Sequence, residues 1–170
     1  MKRHRLFVMI LLITPIVFSN TFFHNFKENG LHDEQIPDEA TAVKIINISD
    51  AVYYSFSNGD SDPCVLKLSG INTECSASAK FCIREAANHF VHELLKDAEE
   101  ELYVLREKDP SKALIWLKYE GSYYLINLLL LFYDYAFVEG ASDLLVPYFE
   151  RYDKIEAQGE VLKNTLGDRD

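Results

Sequence analysis

Basic residues are scarce in this chain. It has 17 lysines and arginines against 27 aspartates and glutamates, which gives a formal net charge of -10. A surface this acidic repels nucleic acid and anionic lipid, and it attracts basic proteins. The composition therefore argues against nucleic acid as a partner and favours a basic protein, unless the acidity serves only solubility.

Glycine and proline are also few, at seven and five in 170 residues. No Gly-rich linker divides the chain and its composition does not change along it, so we expect one domain. Catalytic signatures are missing as well, because Ser76 and Ser78 lack the Gly-x-Ser-x-Gly context of a nucleophile. The sequence predicts no catalytic residue and no cofactor, so we do not expect an enzyme.

The three cysteines are Cys64, Cys75 and Cys82, and their spacing resembles no zinc pattern. In an exported chain we expect one disulfide and one remaining thiol. If Cys75 and Cys82 both lie on a helix, they are about 10 Å apart, beyond the roughly 7 Å that a disulfide spans. We therefore expect Cys64 to pair with Cys75 or with Cys82.

The N-terminus has the layout of an export signal. A basic start is followed by an apolar run from Leu6 to Phe18 and by Ser19, as in a secretory signal peptide. We expect residues 1–19 to be removed and the protein to be periplasmic or secreted. The alternative is an uncleaved anchor reaching Phe23, which is short for the about 20 apolar residues of a membrane span; a membrane contact is expected only there.

Apolar spacings of three and four predict helices beyond a flexible lead-in at residues 20–37. One helix runs from Asp38 to near Phe56, and a short extra helix or loop covers 62–69. A long helix begins at Thr73 or Ser76 and ends before Asp109. Its apolar stripe is Ala79, Ile83, Ala86, Phe90, Leu94, Ala98, Leu102 and Leu105.

Two further helices complete the predicted fold. The first covers about Pro110 to Val138, and its second half, Tyr123–Val138, is apolar nearly all round. Such a helix is a central core element or a membrane span, and its length favours the core. The last begins near Ser142. We expect an all-α, single-domain antiparallel bundle of about four helices over residues 38–167.

Glu85, His89 and His92 are the one combination of side chains that suggests metal chemistry. Their spacings of four and three place them on one helical face, and two imidazoles with a carboxylate can hold zinc. The pattern of two histidines four apart with an intervening Glu is absent. A solvated polar face explains the three residues better, and a metal-dependent envelope enzyme is a minority hypothesis.

Tyrosine is abundant, with ten in the chain. Adjacent tyrosines on a helix cannot both face one core, so some must lie at a surface, where tyrosine is typical of protein interfaces. The candidates are Tyr54, Tyr123, Tyr124, Tyr148 and Tyr152. A homodimer seam or a thick core would account for the same residues.

These observations lead to one main functional hypothesis. An acidic exported protein without a catalytic motif is expected to bind another protein, as an inhibitor or immunity-type protein does against a basic enzyme or toxin. The alternative is a membrane-tethered scaffold or assembly component of the envelope, held by an uncleaved Leu6–Phe23 segment.

Overall fold

The computed structural model describes residues 23–57, 63–73, 83–98, 102–140, 144–151 and 153. Strands dominate this part of the chain. They are β1 (Thr41–Asp50), β2 (Tyr53–Ser57), β3 (Cys64–Leu68), β4 (Ile71–Asn72), β5 (Leu102–Arg106), β6 (Lys112–Tyr119), β7 (Ser122–Leu125) and β8 (Phe137–Val138). The described helical segments are α1 (residues 23–28), α2 (Ile83–Asp97), α3 (Ile126–Phe132) and α4 (residues 146–151).

Five strands close into a barrel. Their order is β3-β2-β1-β5-β6, and β6 pairs back onto β3. All neighbours are antiparallel except β3 and β6, which run parallel with Lys67 opposite Lys112. The spatial sequence β5-β1-β2-β3 is a Greek key, with α2 in the connection that returns to β5. A five-stranded Greek-key barrel is the architecture of the OB fold.

Strand β6 is the most buried element of the barrel. Residues 113–117 are all inaccessible, because one face of β6 lines the barrel and α3 packs near the strand. Asn127 of α3 is also fully buried and bridges β6 and the turn after β3: its side chain accepts from Ile115 N and donates to Ser69 O. Both polar ends of the amide are thereby satisfied inside the core.

The segment that precedes β1 packs against the barrel. Phe23, Phe26 and Leu31 are core side chains, although they fall in the stretch expected as a lead-in. Asp33 exchanges two backbone hydrogen bonds with Tyr123 of β7. Its carboxylate accepts from the Trp116 indole at 3.1 Å and from Arg151 at 2.7 Å. This segment therefore connects β6, β7 and α4.

The prediction of an all-α bundle is wrong. The stretch expected as a first helix is the hairpin of β1 and β2, and its register shifts between Ile45 and Asn47 and again between Ile48 and Asp50. Each bulge inserts one residue and reverses which side the following residues face. The apolar residues of β1 that are described as buried or partly buried, Val43, Ile45 and Ile48, therefore recur at irregular spacings of two and three, which resemble a helical pattern.

The two long helices predicted after residue 73 are also wrong in extent. In the described part of the first predicted helix, Ile83–Asp97 is helical, while Leu102–Arg106 is strand β5. The helix expected over about Pro110–Val138 is instead the succession β6, β7, α3 and β8. Glu120 and Gly121 both have positive φ, at 47° and 77°, and form the two-residue turn between β6 and β7.

No helix among the described residues is long and apolar enough to cross a membrane. The predicted leader, residues 1–19, lies outside the described part of the chain.

Candidate functional site

Six large apolar side chains are exposed in the described part of the chain. They are Tyr53, Val65, Phe137, Val138, Leu144 and Val146. Four of the six come from the short stretch 137–146, which follows α3. A protein that folds alone seldom exposes a contiguous apolar patch without a function for it, so we asked whether these residues lie together.

Tyr53 and Val65 lie on the outer face of the barrel. Burial alternates along β2 and β3, with Tyr54, Phe56 and Leu66 inside. Tyr53 is opposite Lys67, and Val65 is opposite Ser55. Residues diagonal across an antiparallel pair are about 7–8 Å apart, which is within reach of a tyrosine ring. The face of the second and third barrel strands is also where OB folds bind their ligands, an analogy at the level of the fold.

An ion pair joins this face to β8. The Lys67 ammonium contacts the Glu139 carboxylate at 2.6 Å, and the Asn72 amide donates to the other oxygen of Glu139 at 2.9 Å. The pKa of Glu139 lies below its usual range, first because of the hydrogen bond from Lys67 and then because of the one from Asn72. Glu139 follows Val138 directly, so the pair links β8 to Lys67, the residue opposite Tyr53.

Phe137 and Val138 pair with β4, and residues that follow them in the chain contact Gly70. Glu139 N donates to Gly70 O at 2.8 Å, and β8 pairs with β4 with Val138 opposite Ile71. Leu145 is fully buried, and its Cδ1 lies where a Cβ on Gly70 would stand. Leu144 and Val146 flank Leu145 in the chain. We call the six exposed residues, with Lys67 and Glu139 between them, the apolar band.

The three residues of the minority metal hypothesis lie on the solvent-facing side of α2. Glu85, His89 and His92 are exposed on α2, and the nearest acid to His89 is Glu93, at 4.0 Å. Glu93 is engaged by Lys96, whose hydrogen bond lowers the pKa of Glu93. Among the described residues, no group of three or more histidines, cysteines or acids has the geometry to hold a metal ion.

Two of the five tyrosines singled out from the sequence, Tyr54 and Tyr124, are core residues. Tyr54 is fully buried and its hydroxyl donates to Ala51 O at 2.9 Å; burial, and secondarily Asp50, raises its pKa. Tyr124 is 2% exposed. Tyr123 is half-buried and meets Tyr103 edge to face.

Tyr148 is half-buried between other side chains. The Trp116 ring meets it edge to face, and the Arg151 guanidinium lies 5.3 Å from its ring centroid. Tyr152 lies outside the described residues. The exposed tyrosine that sequence reasoning missed is Tyr53, and strand alternation along Tyr53–Ser57 is the signal that would have found it.

The predicted disulfide of Cys64 is wrong. Cys64 is a free thiol at the start of β3, opposite Phe56, and not part of a loop. Its sulfur accepts a hydrogen bond from the Arg106 guanidinium at 3.4 Å. Both proposed partners, Cys75 and Cys82, lie outside the described residues.

No protein-family model matches the sequence, and no curated protein matches it either. The function has to be inferred from the apolar band and from the charge of the chain.

Proposed function

We propose that this chain is an exported protein that binds a basic partner protein through the apolar band, in the manner of an inhibitor or immunity protein. The observation that supports this proposal most directly is the Lys67–Glu139 ion pair. It links the face of β2 and β3 to β8, and these three strands together carry four of the six exposed apolar side chains.

The chemistry of the band fits a protein interface. Interface centres are enriched in aromatic and apolar side chains and are surrounded by polar groups. Tyr53 and Phe137 supply the aromatic anchors, at 40% and 47% exposure. The Glu139 side chain remains 47% exposed in its ion pair, so a carboxylate oxygen can accept a further hydrogen bond from a partner's lysine or arginine.

The charge of the whole chain favours a basic partner. A net charge of -10 produces a negative field around the molecule. Such a field accelerates the approach of a positively charged protein and makes the association sensitive to salt. The apolar band then supplies the short-range contact, which salt does not screen. The negative field and the apolar band together predict an affinity that depends both on salt and on the apolar side chains.

The partner can be sought with a double variant of the band, Phe137→Ser with Val138→Ser. Both side chains are about half exposed, so their removal leaves the core intact. Mature protein immobilised on beads is incubated with an extract of the producing cells at low and at high salt. We expect one basic protein that is retained at low salt, released at high salt, and lost with the double variant.

The matched control is His89→Ser with His92→Ser, which changes two exposed residues on α2. It should retain the partner as the parent protein does. A photo-crosslinker at position 137 should capture the same protein, whereas one at position 89 should not. Equal retention by the band variant and the parent would contradict the proposal.

The oligomeric state of the purified protein distinguishes two possible occupants of the band, a second copy of this chain and a different protein. If the purified protein sediments as a dimer and the double variant as a monomer, the band is a homodimer seam and the proposal of a foreign partner fails.

A further inference from the structure

The mouth of the barrel holds a cavity that the proposed function does not use. Its volume is about 260 Å³, and it is lined by Glu39, Thr41, Val43, Phe56, Leu66, Val104, Leu105 and Arg106. These residues come from β1, β2, β3, β5 and the segment before β1. The cavity therefore opens at the end of the barrel where β5 stops, and not on the outer face that carries Tyr53.

The floor of the cavity is apolar. Val43, Phe56, Leu66 and Val104 are each at most 8% exposed, and all four contact the hydrophobic core. Phe56 and Leu66 belong to the inward-facing sets of β2 and β3. A concave apolar floor of this kind favours an apolar ligand, because contact with the floor removes the ligand's surface from water.

The rim of the cavity provides a cation. Arg106 follows Val104 by two positions on β5, and it therefore faces the same side of the strand. Its guanidinium reaches across to the Cys64 sulfur of β3, at 3.4 Å. Within the described part of the chain, no carboxylate lies within ion-pair distance of this guanidinium. An arginine at the edge of an apolar cavity can hold a carboxylate by charge-assisted hydrogen bonds.

We propose that the barrel mouth binds a small carboxylic acid with an apolar tail, such as a medium-chain fatty acid. The tail occupies the floor, and the carboxylate meets the Arg106 guanidinium at the rim. The volume lies somewhat below the about 300–1,000 Å³ of pockets for drug-sized ligands, which excludes long-chain fatty acids. Glu39 also lines the rim and opposes an anionic head group, so it limits the affinity.

Calorimetry of the mature protein with octanoate tests this proposal, with 1-octanol as the neutral probe of the same tail. We expect octanoate to bind at one site and 1-octanol to bind at least about tenfold more weakly, since a hydrogen bond to a charged group contributes that much. Arg106→Gln should reduce octanoate binding to the level of 1-octanol. Glu39→Gln should strengthen octanoate binding.

Two control variants test whether the loss of octanoate binding is specific to Arg106. Lys108→Gln removes an exposed cation in the turn that follows β5 and should bind octanoate as the parent protein does. The band variant Phe137→Ser with Val138→Ser should do so too, which separates this site from the proposed interface. If Arg106→Gln fails to fold, the comparison of octanoate with 1-octanol on the parent protein still tests whether the carboxylate contributes to binding. No binding of octanoate, or equal binding of the two probes, would overturn the proposal.

Discussion

Lys67 and Glu139 lie 72 positions apart in the sequence, yet their side chains meet in an ion pair of 2.6 Å. The lysine belongs to the barrel strand β3, and the glutamate follows β8, which lies outside the barrel. Asn72 completes the contact by donating to the second carboxylate oxygen. The pair attaches β8 to the barrel, together with the pairing of β8 with β4 and the hydrogen bond from Glu139 N to Gly70 O.

The first prediction concerns the pH dependence of the Lys67–Glu139 pair. Lys67, and then Asn72, lowers the pKa of Glu139 below its ordinary value of 4.5. The stability from this group is therefore fully present above the ordinary pKa and is lost as the pH falls through the lowered folded-state pKa. Glu139→Gln should melt below the parent protein at about pH 7, and the two melting temperatures should converge towards about pH 3.

The matched control for this measurement is Glu150→Gln, an exposed carboxylate on α4. Its melting temperature should follow that of the parent protein across the same pH range. A constant difference between Glu139→Gln and the parent at every pH would show that the ion pair contributes nothing to stability.

The second prediction concerns Gly70, which has a φ of +70° and no room for a side chain. A Cβ there would stand 2.3 Å from Leu145 Cδ1 and 3.1 Å from Gly140 O. Leu145 is fully buried, so any shift of its side chain must displace other core side chains. In urea denaturation, Gly70→Ala should lose about 2–4 kcal/mol of unfolding free energy.

Gly121 provides the control for Gly70. It has a similar φ of +77°, but a Cβ there would meet nothing within 4 Å. Gly121→Ala should therefore lose only the about 1–2 kcal/mol of a left-handed alanine. Equal losses at the two positions would mean that Leu145 does not pack against Gly70.

The third prediction concerns Asp33, which accepts hydrogen bonds from both Trp116 and Arg151. Its side chain is only 15% exposed. Asp33→Ala leaves both donors without this acceptor, so it should cost about 3 kcal/mol in chemical denaturation. Asp38→Ala, at an exposed position of the same segment, should change stability by no more than about 0.5 kcal/mol. Similar values for the two variants would show that the segment before β1 contributes little to stability.

The fourth prediction concerns the buried amide of Asn127. The side chain donates to Ser69 O at 2.9 Å and accepts from Ile115 N. Asn127→Asp keeps the shape but removes the donor and places an acid in the core, so it should cost more than about 2 kcal/mol at neutral pH. The loss should shrink at acidic pH, where the new carboxyl is neutral. The control is Asn47→Asp, on an exposed part of β1, which should unfold like the parent protein.

Local patterns in the sequence predict only part of the fold. The helix at Ile83–Asp97 follows from its apolar stripe, as expected. Strand β6 did not show the alternation of a strand, because residues 113–117 are buried on both faces. An apolar run of this kind does not by itself distinguish a strand from a buried helix. Gly121, which follows Glu120, was the local turn signal. It indicates that the helix predicted from Pro110 should be divided there into two strands.

The candidate site could not be predicted from such local patterns, for a different reason. The band combines Tyr53, Val65 and Phe137, whose neighbourhood depends on how β3 and β8 are placed in the folded chain. No spacing in the sequence encodes that placement. The tyrosine hypothesis failed at Tyr54 for a related reason: with the chain in a strand, the adjacent residue Tyr53 is the one that faces outward.

The last prediction concerns Cys64, where the sequence favoured a disulfide and the structure has a free thiol. The residue is half-buried at the start of β3, and its neighbour is the Arg106 guanidinium. Digestion of the unreduced protein should release the Cys64 peptide without a bridged partner. Cys64→Ser should also change the unfolding free energy by less than about 1 kcal/mol, since it removes only one weak sulfur acceptor. A native disulfide would instead cost about 2–5 kcal/mol when removed. A loss in that range, together with a bridged Cys64 peptide, would contradict the free thiol.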